Sequence, residues 1–160
     1  MFDRFGEFDS AEEINELAIN LRKEGDAKSL YTLARENGID EEIAELFLDN
    51  YFDSLCDVTS AAIGKIDTEE VELKPVEIMK DWVEYIKSRC LEDEALAVAI
   101  RKKGKSLKGA IAALLMWSFK HQQNVDKDIL KAAGVSAGRC TLGIPGMGTA
   151  KKLITEYYMK

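Results

Sequence analysis

Apolar side chains recur at helical spacing along most of this chain. Between Ser10 and Gly25, the residues Ile14, Leu17, Ala18 and Leu21 fall at i, i+3, i+4 and i+7, the stripe of an amphipathic helix. Ser10 and Glu13 form the S-x-x-E pattern of a capping box in front of it. Gly25 predicts its end, and Asp26 can cap the next helix. That second helix turns Leu30, Leu33 and Ala34 inward and stops at Asn37-Gly38. Asp40 is expected to cap a third, with Ile43, Leu46, Phe47 and Tyr51 inward. Its polar side carries Glu41, Glu42, Glu45, Asp49 and Asp53.

The stretch GKIDTEEVELKP, residues 64–75, interrupts the pattern. Gly64, a run of acids and Pro75 predict a linker or boundary. Proline disfavours helix at the residue before it and suits a first helical turn itself. The expected division is an acidic helical subdomain over residues 1–74 and a second helical domain over 75–160. From Pro75 a helix places Ile78, Trp82, Tyr85 and Ile86 on one face. A shorter one covers Glu94 to Lys103, and Gly104 separates it from a long one starting near Ser106. There Leu107, Ile111, Leu114, Leu115 and Trp117 are the inward candidates. A short helix near Asp126–Ala133 and a last one carrying Ala150, Leu153, Ile154, Tyr157 and Tyr158 follow. CTLGI, 140–144, reads as a brief extended piece. The fold class expected is all-α, about seven or eight short helices in a compact bundle, with most of the core in the second half.

A hydrophobic share of 46% supports a core. Charge is divided along the chain. Residues 1–75 hold 7 basic and 20 acidic side chains, net −13, and residues 76–160 hold 15 basic and 9 acidic, net +6. Such polarity speaks to partners and not to fold. The acidic helix face is ordinarily a solvated one; the same row of carboxylates can also imitate nucleic-acid phosphates in a basic channel. Cys56, Cys90 and Cys140 are odd in number and far apart, so neither a disulfide framework nor a zinc site is expected. His121 is the only histidine and sits in the polar tail KHQQN. No catalytic residue, metal or cofactor is expected, and the chain reads as a non-enzyme. It has no apolar run of transmembrane length, and acids stand where a signal peptide has cations, so a cytoplasmic location is expected.

GIPGMGTAKKLI, from Gly143 to Ile154, raises the question of phosphate binding. Gly143 and Gly148 have P-loop spacing, but Thr149 and Ala150 stand where Lys and Ser or Thr are required, and no parallel sheet precedes them. The dinucleotide fingerprint fails for want of a βαβ unit. PGMG also fits the apolar-Pro-Gly-apolar-Gly of a helix-hairpin-helix, whose backbone N–H groups meet a DNA phosphate. The simpler reading is a turn around Gly146 and Gly148, with Gly148 or Thr149 capping the last helix. RKKGKSLK sets Arg101, Lys102, Lys103, Lys105 and Lys108 around a helix break. It is either a solvated junction or a site for an acidic protein surface or phosphate backbone, which Arg139, Lys151 and Lys152 could join.

YIKSRCLEDEALA (85–97), KSLKGAI from Lys105, and TEYY near the end carry a resemblance. Tyr85, Ile86, Arg89, Asp93, Leu96 and Ala97, then Lys105, Ser106 and Leu107, then Tyr157 and Tyr158, fit in order and spacing. Over residues 76–160 the chain resembles the PcfK-like family of mobile genetic elements, which includes anti-CRISPR inhibitors of the type II RNA-guided nuclease. The resemblance implies a protein that binds that nuclease, with or without guide RNA, and blocks DNA binding or cleavage. Tyr157, Tyr158 and Trp117 would be its candidate anchors. The alternative is a nucleic-acid-binding accessory protein of a mobile element, gripping phosphate through Gly146, Gly148 and the neighbouring cations.

Overall fold

A computed structural model describes residues 2–160. Among them are nine helices and a single two-stranded ladder, an all-α fold. The N-terminal layer is α1 (Ala11–Glu24), α2 (Ala27–Glu36) and α3 (Glu41–Leu48). Ser10 Oγ accepts from Glu13 N at 3.2 Å, while the Glu13 carboxylate reaches back to Asp9 N at 2.7 Å. Gly25, at φ 71°, ends α1, and Asp26 Oδ1 then accepts from Ser29 N at 3.0 Å to start α2. Asp40 precedes α3 but makes no side-chain cap bond.

Next come α4 (Val58–Leu73), α5 (Ile78–Glu92), α6 (Glu94–Arg101) and α7 (Leu107–Lys120). The expected linker at 64–75 is instead mostly the C-terminal half of α4. An interior glycine costs a helix only about 1 kcal/mol, which tertiary packing overrides. The acids there have partners: Lys87 of α5 lies 2.8 Å from Asp67 and 2.5 Å from Glu70, and Glu69 accepts from Leu107 N. The true break is short. Lys74 and Glu77, at φ 48° and 53°, flank Pro75, so α5 starts at Ile78. After α7 the chain forms β1 (Gln123–Asn124), α8 (Lys127–Ala132) and β2 (Thr141–Leu142), then closes with α9 (Met147–Met159). β1 and β2 pair antiparallel, Gln123 opposite Leu142.

Two apolar clusters result. One gathers α1, α2 and α3 around Ile14, Leu30, Leu33 and Phe47, with Leu55 and Cys56 from the segment before α4. The other gathers α5, α6, α7 and α9 around Ile86, Leu96, Ile100, Leu114 and Ile154. α4 serves both: Ala61 belongs to the first, Ala62 and Ile66 to the second, and Val58 packs against each. Asn15 fixes the segment ahead of α4, accepting from Leu55 N at 2.8 Å and donating to Cys56 O at 2.8 Å.

Candidate functional site

α3 buries Ala44 and Phe47 against its neighbours, so Glu41, Glu42 and Glu45 point outward. Asp49 and Asp53, in the segment that follows, are exposed as well. None of these five carboxylates makes an ion pair among the described residues. Tyr51, expected inward, is 74% exposed, and Phe52 beside it is 43% exposed. The reason is local: α3 ends at Leu48, and Asn50 at φ 62° turns the chain, so the helical period does not reach Tyr51. Leu46, also expected inward, lies near the surface. Arg22 of α1 holds this knuckle in place. Its Nη1 donates to Phe47 O at 2.9 Å and Phe52 O at 3.1 Å, and its guanidinium lies 4.0 Å from the Phe47 ring centre. The acids were legible from the sequence; the two surface aromatics among them were not.

The expected basic site is dispersed. Arg101 is buried, and its Nη2 donates to Asn37 Oδ1 at 2.8 Å, so it meets no partner from outside. Its place on α6 beside Ile100 and Ala97 turns it inward. Lys103 is engaged by the N-terminal segment: its N–H donates to Asp9 at 2.9 Å and its Nζ lies 3.8 Å from Glu13. Lys105 Nζ donates to Tyr157 O at 2.8 Å. Lys151 lies 5.2 Å over the Tyr85 ring. Lys102, Lys108 and Lys152 are exposed and form no ion pair among the described residues. Arg139 pairs with Asn124 instead, Nε to Oδ1 at 3.1 Å. Gly146, at φ −62°, is the N-cap of α9, and Gly148 lies within its first turn, so neither Gly148 nor Thr149 is the cap. The element ahead of the turn is the extended β2 and not a helix, which departs from a helix-hairpin-helix.

A buried charged cluster escaped the sequence reading. Lys65 Nζ donates to Glu7 Oε1 at 2.6 Å and to Lys102 O at 2.9 Å. Lys65, Glu69 and Arg101 are all out of water. Burial raises the Glu69 carboxyl pKa, against the pull of the Leu107 N–H and of Lys65. Burial likewise lowers that of Arg101. The cluster joins α2, α4 and α6 to the N-terminal segment. Its signal in the sequence was the placement of Lys65 and Glu69 at i, i+4 on the inward face of a helix. Among the described residues no group of three His, Cys, Asp or Glu side chains is arranged to hold a metal ion. None of the described helices is long and apolar enough to cross a membrane.

The residues that carry the family resemblance sit at joints of the second cluster. Arg89 Nη2 pairs with Asp93 at 3.0 Å, and Asp93 caps α6 by accepting from Leu96 N at 3.1 Å. Ser106 caps α7, and its own N–H donates to Tyr157 Oη at 3.0 Å. Tyr158 is buried and therefore no surface anchor; Tyr157 is half-buried, and Trp117 stacks on His121 at 4.3 Å. No family model, curated protein or solved structure matches the chain.

Proposed function

We propose that this chain is a non-enzymatic, stoichiometric binder whose acidic face competes for a basic nucleic-acid channel of a partner protein in the cytoplasm. One observation carries the reading: Glu41, Glu42, Glu45, Asp49 and Asp53 are exposed and unpaired, with Tyr51 and Phe52 set among them. Unpaired carboxylates steer encounter with a cationic groove, and partly exposed aromatics supply the desolvated contacts that hold it. The PcfK-like resemblance points to the type II RNA-guided CRISPR nuclease as that partner, whose guide–target duplex lies in a positively charged channel. A pull-down with the nuclease, with and without guide RNA, and a DNA-cleavage titration test this. Co-purification and loss of cleavage near an equimolar ratio are expected. Reversing Glu41, Glu42 and Glu45 to Lys should weaken inhibition at least ~10-fold, and Tyr51→Ala should speed dissociation. No co-purification in either state, with full cleavage at excess protein, overturns it.

A second reading is phosphate contact by the α9 start. In its favour, Gly146 caps α9 without a side-chain hydrogen bond, and Lys152 in the second turn is exposed. Its sign is duplex binding that weakens steeply with salt in the absence of any protein partner. Flat titrations at low salt count against it.

A further inference from the structure

The N-terminal segment, residues 2–9, has no helix or strand of its own and lies over the buried charged cluster as a strap. Arg4 and Phe5 donate their backbone N–H groups to Glu36 of α2, at 2.8 and 3.3 Å. Gly6, at φ 76°, turns the chain there. Glu7 Oε1 then accepts from Lys65 Nζ at 2.6 Å, its Oε2 faces Gly104 N at 3.5 Å, and Asp9 Oδ1 accepts from Lys103 N at 2.9 Å. The Phe2 ring centre lies 5.6 Å from the Arg101 guanidinium. Glu7 is 29% exposed, whereas the Lys65 side chain behind it is 1% exposed. Glu7 is therefore the outer wall of the cluster, and Lys65 and Arg101 lie under the strap.

The strap fills this place incompletely. Arg101 Nε and Nη1 are buried and have no acceptor among the described residues. Glu7 brings only two oxygens: one is engaged by Lys65, and the other lies at the long limit of a hydrogen bond from Gly104. Burial holds the Arg101 pKa down, and Cys56, Glu7, Glu69 and Glu13 act against it, so Glu7 is within the field of this arginine. The local charges are two against two, Lys65 and Arg101 facing Glu7 and Glu69. Glu69 is tied separately to Leu107 N, and Glu13 lies 3.8 Å from Lys103 Nζ. Withdrawing Glu7 leaves the cluster cationic, with a buried ammonium in need of an anion.

We propose that the strap masks a receptor for a phosphate-class oxyanion at the α6–α7 break, with Glu7 as its internal substitute ligand. Lys65 Nζ, the N–H groups of Lys103 and Gly104, and the two unused donors of Arg101 exceed what one carboxylate can accept. A tetrahedral oxyanion has the acceptor capacity for them, and guanidinium and successive backbone N–H groups are the donors that phosphate sites use. A carboxylate from outside would repeat what Glu7 already does and leave Arg101 unmet. As a tethered ligand Glu7 competes at an effective concentration on the order of millimolar, so the closed chain takes an outside anion only weakly. Release of residues 2–9 turns the site on. None of its donors belongs to α3 or α9, so the inference stands apart from both readings above.

The test uses the full chain. Glu7→Gln combined with Asp9→Asn keeps the shape of the strap and removes its charge. Inorganic phosphate is titrated into this variant and into wild type at fixed ionic strength, and amide chemical shifts are read. Acetate is the carboxylate control, and glycerol phosphate is the arm for a phosphoryl group carried on a larger molecule. The variant should bind phosphate at least ~10-fold more tightly than wild type, with shifts centred on Lys65 and residues 101–105, and acetate should bind more weakly. Binding of glycerol phosphate assigns the receptor to phosphomonoesters, and its failure beside bound phosphate assigns it to the free ion. Adding Arg101→Met should remove binding with helicity unchanged. If the double variant loses helicity, Glu7→Gln alone is read in the same way. Equal affinity in wild type and variant, a preference for acetate, or binding that survives Arg101→Met overturns the proposal. So do shifts scattered over surface lysines, an adventitious ion only, or shifts at the start of α9 in place of residues 101–105.

Discussion

Arg101 and Asn37 meet across 64 positions of chain, Nη2 to Oδ1 at 2.8 Å, with both side chains out of water. The arginine's Nε and Nη1 are buried without an acceptor. Asn37 in turn donates its Nδ2 to Leu33 O at 2.9 Å. Removing one partner of a buried polar contact strands the other, and a stranded charge costs more than a stranded neutral acceptor. Asn37→Ala is therefore expected to lower stability by about 2–3 kcal/mol. Arg101→Met strands only the neutral Asn37 Oδ1 and takes the buried charge away with it, so its cost should be smaller, about 1 kcal/mol. Urea denaturation of both variants checks the order; Arg101→Met proving the costlier would refute it.

Gly64 carries an inverted expectation. In an exposed helix interior, Gly→Ala stabilises by about 1 kcal/mol. Here a Cβ on Gly64 would lie less than 3.0 Å from Asn37 O, and one on Gly38 equally close to the backbone of Gly64. Backbone faces backbone, so no side chain can move aside. Gly64→Ala is expected to destabilise by about 2–4 kcal/mol. Thermal melting of this variant beside Gly109→Ala is a useful pair: at Gly109 the added methyl meets the end of the Tyr157 side chain, so the loss should be smaller.

The buried cluster predicts a pH dependence with a definite sign. Glu69 has its pKa raised in the folded state, first by burial. Its contribution to stability is full below the unfolded-state carboxylate value and is lost as pH rises through the higher folded one. Glu69→Gln should then be more stable than wild type at pH 7, with the difference gone below about pH 4. Asp57 behaves oppositely. Its pKa is lowered by the Ser60 N–H that it accepts in capping α4, so its contribution is present above the unfolded value and lost as pH falls through the folded one. Asp57→Ala should cost about 1 kcal/mol at pH 7 and less in acid. Denaturant titrations across the range read both; a Glu69→Gln variant less stable than wild type at pH 7 would reject the first.

The three thiols should react at different rates. Burial pushes the Cys56 thiol up to about 12 and Cys90 up to about 11. Cys140, beside the β1–β2 ladder, is half-buried. Thiol reagent at pH 7.5 should modify Cys140 first, with Cys56 and Cys90 following only on unfolding. Mass spectrometry of the native protein shows this, and Cys140→Ser should remove the rapid phase.

Much of the fold was already written in periodicity and caps. Helix placement for α1, α2, α5 and α9 follows from local rules, because an apolar stripe needs only its own residues to declare a face. Glu41, Glu42 and Glu45 were legible as a helix surface for the same reason, whereas Asp49 and Asp53 are exposed in the segment after α3. Tertiary contact settled the remainder. Gly64 reads as a helix breaker until its packing against Asn37 and Gly38 is known. Lys65, Glu69 and Arg101 read as surface charges until two clusters close over them. Leu115 reads as core until the absence of a covering neighbour leaves it outside. Burial is a property of what lies opposite a residue, and a single chain's pattern states which side is apolar without saying whether anything comes to meet it.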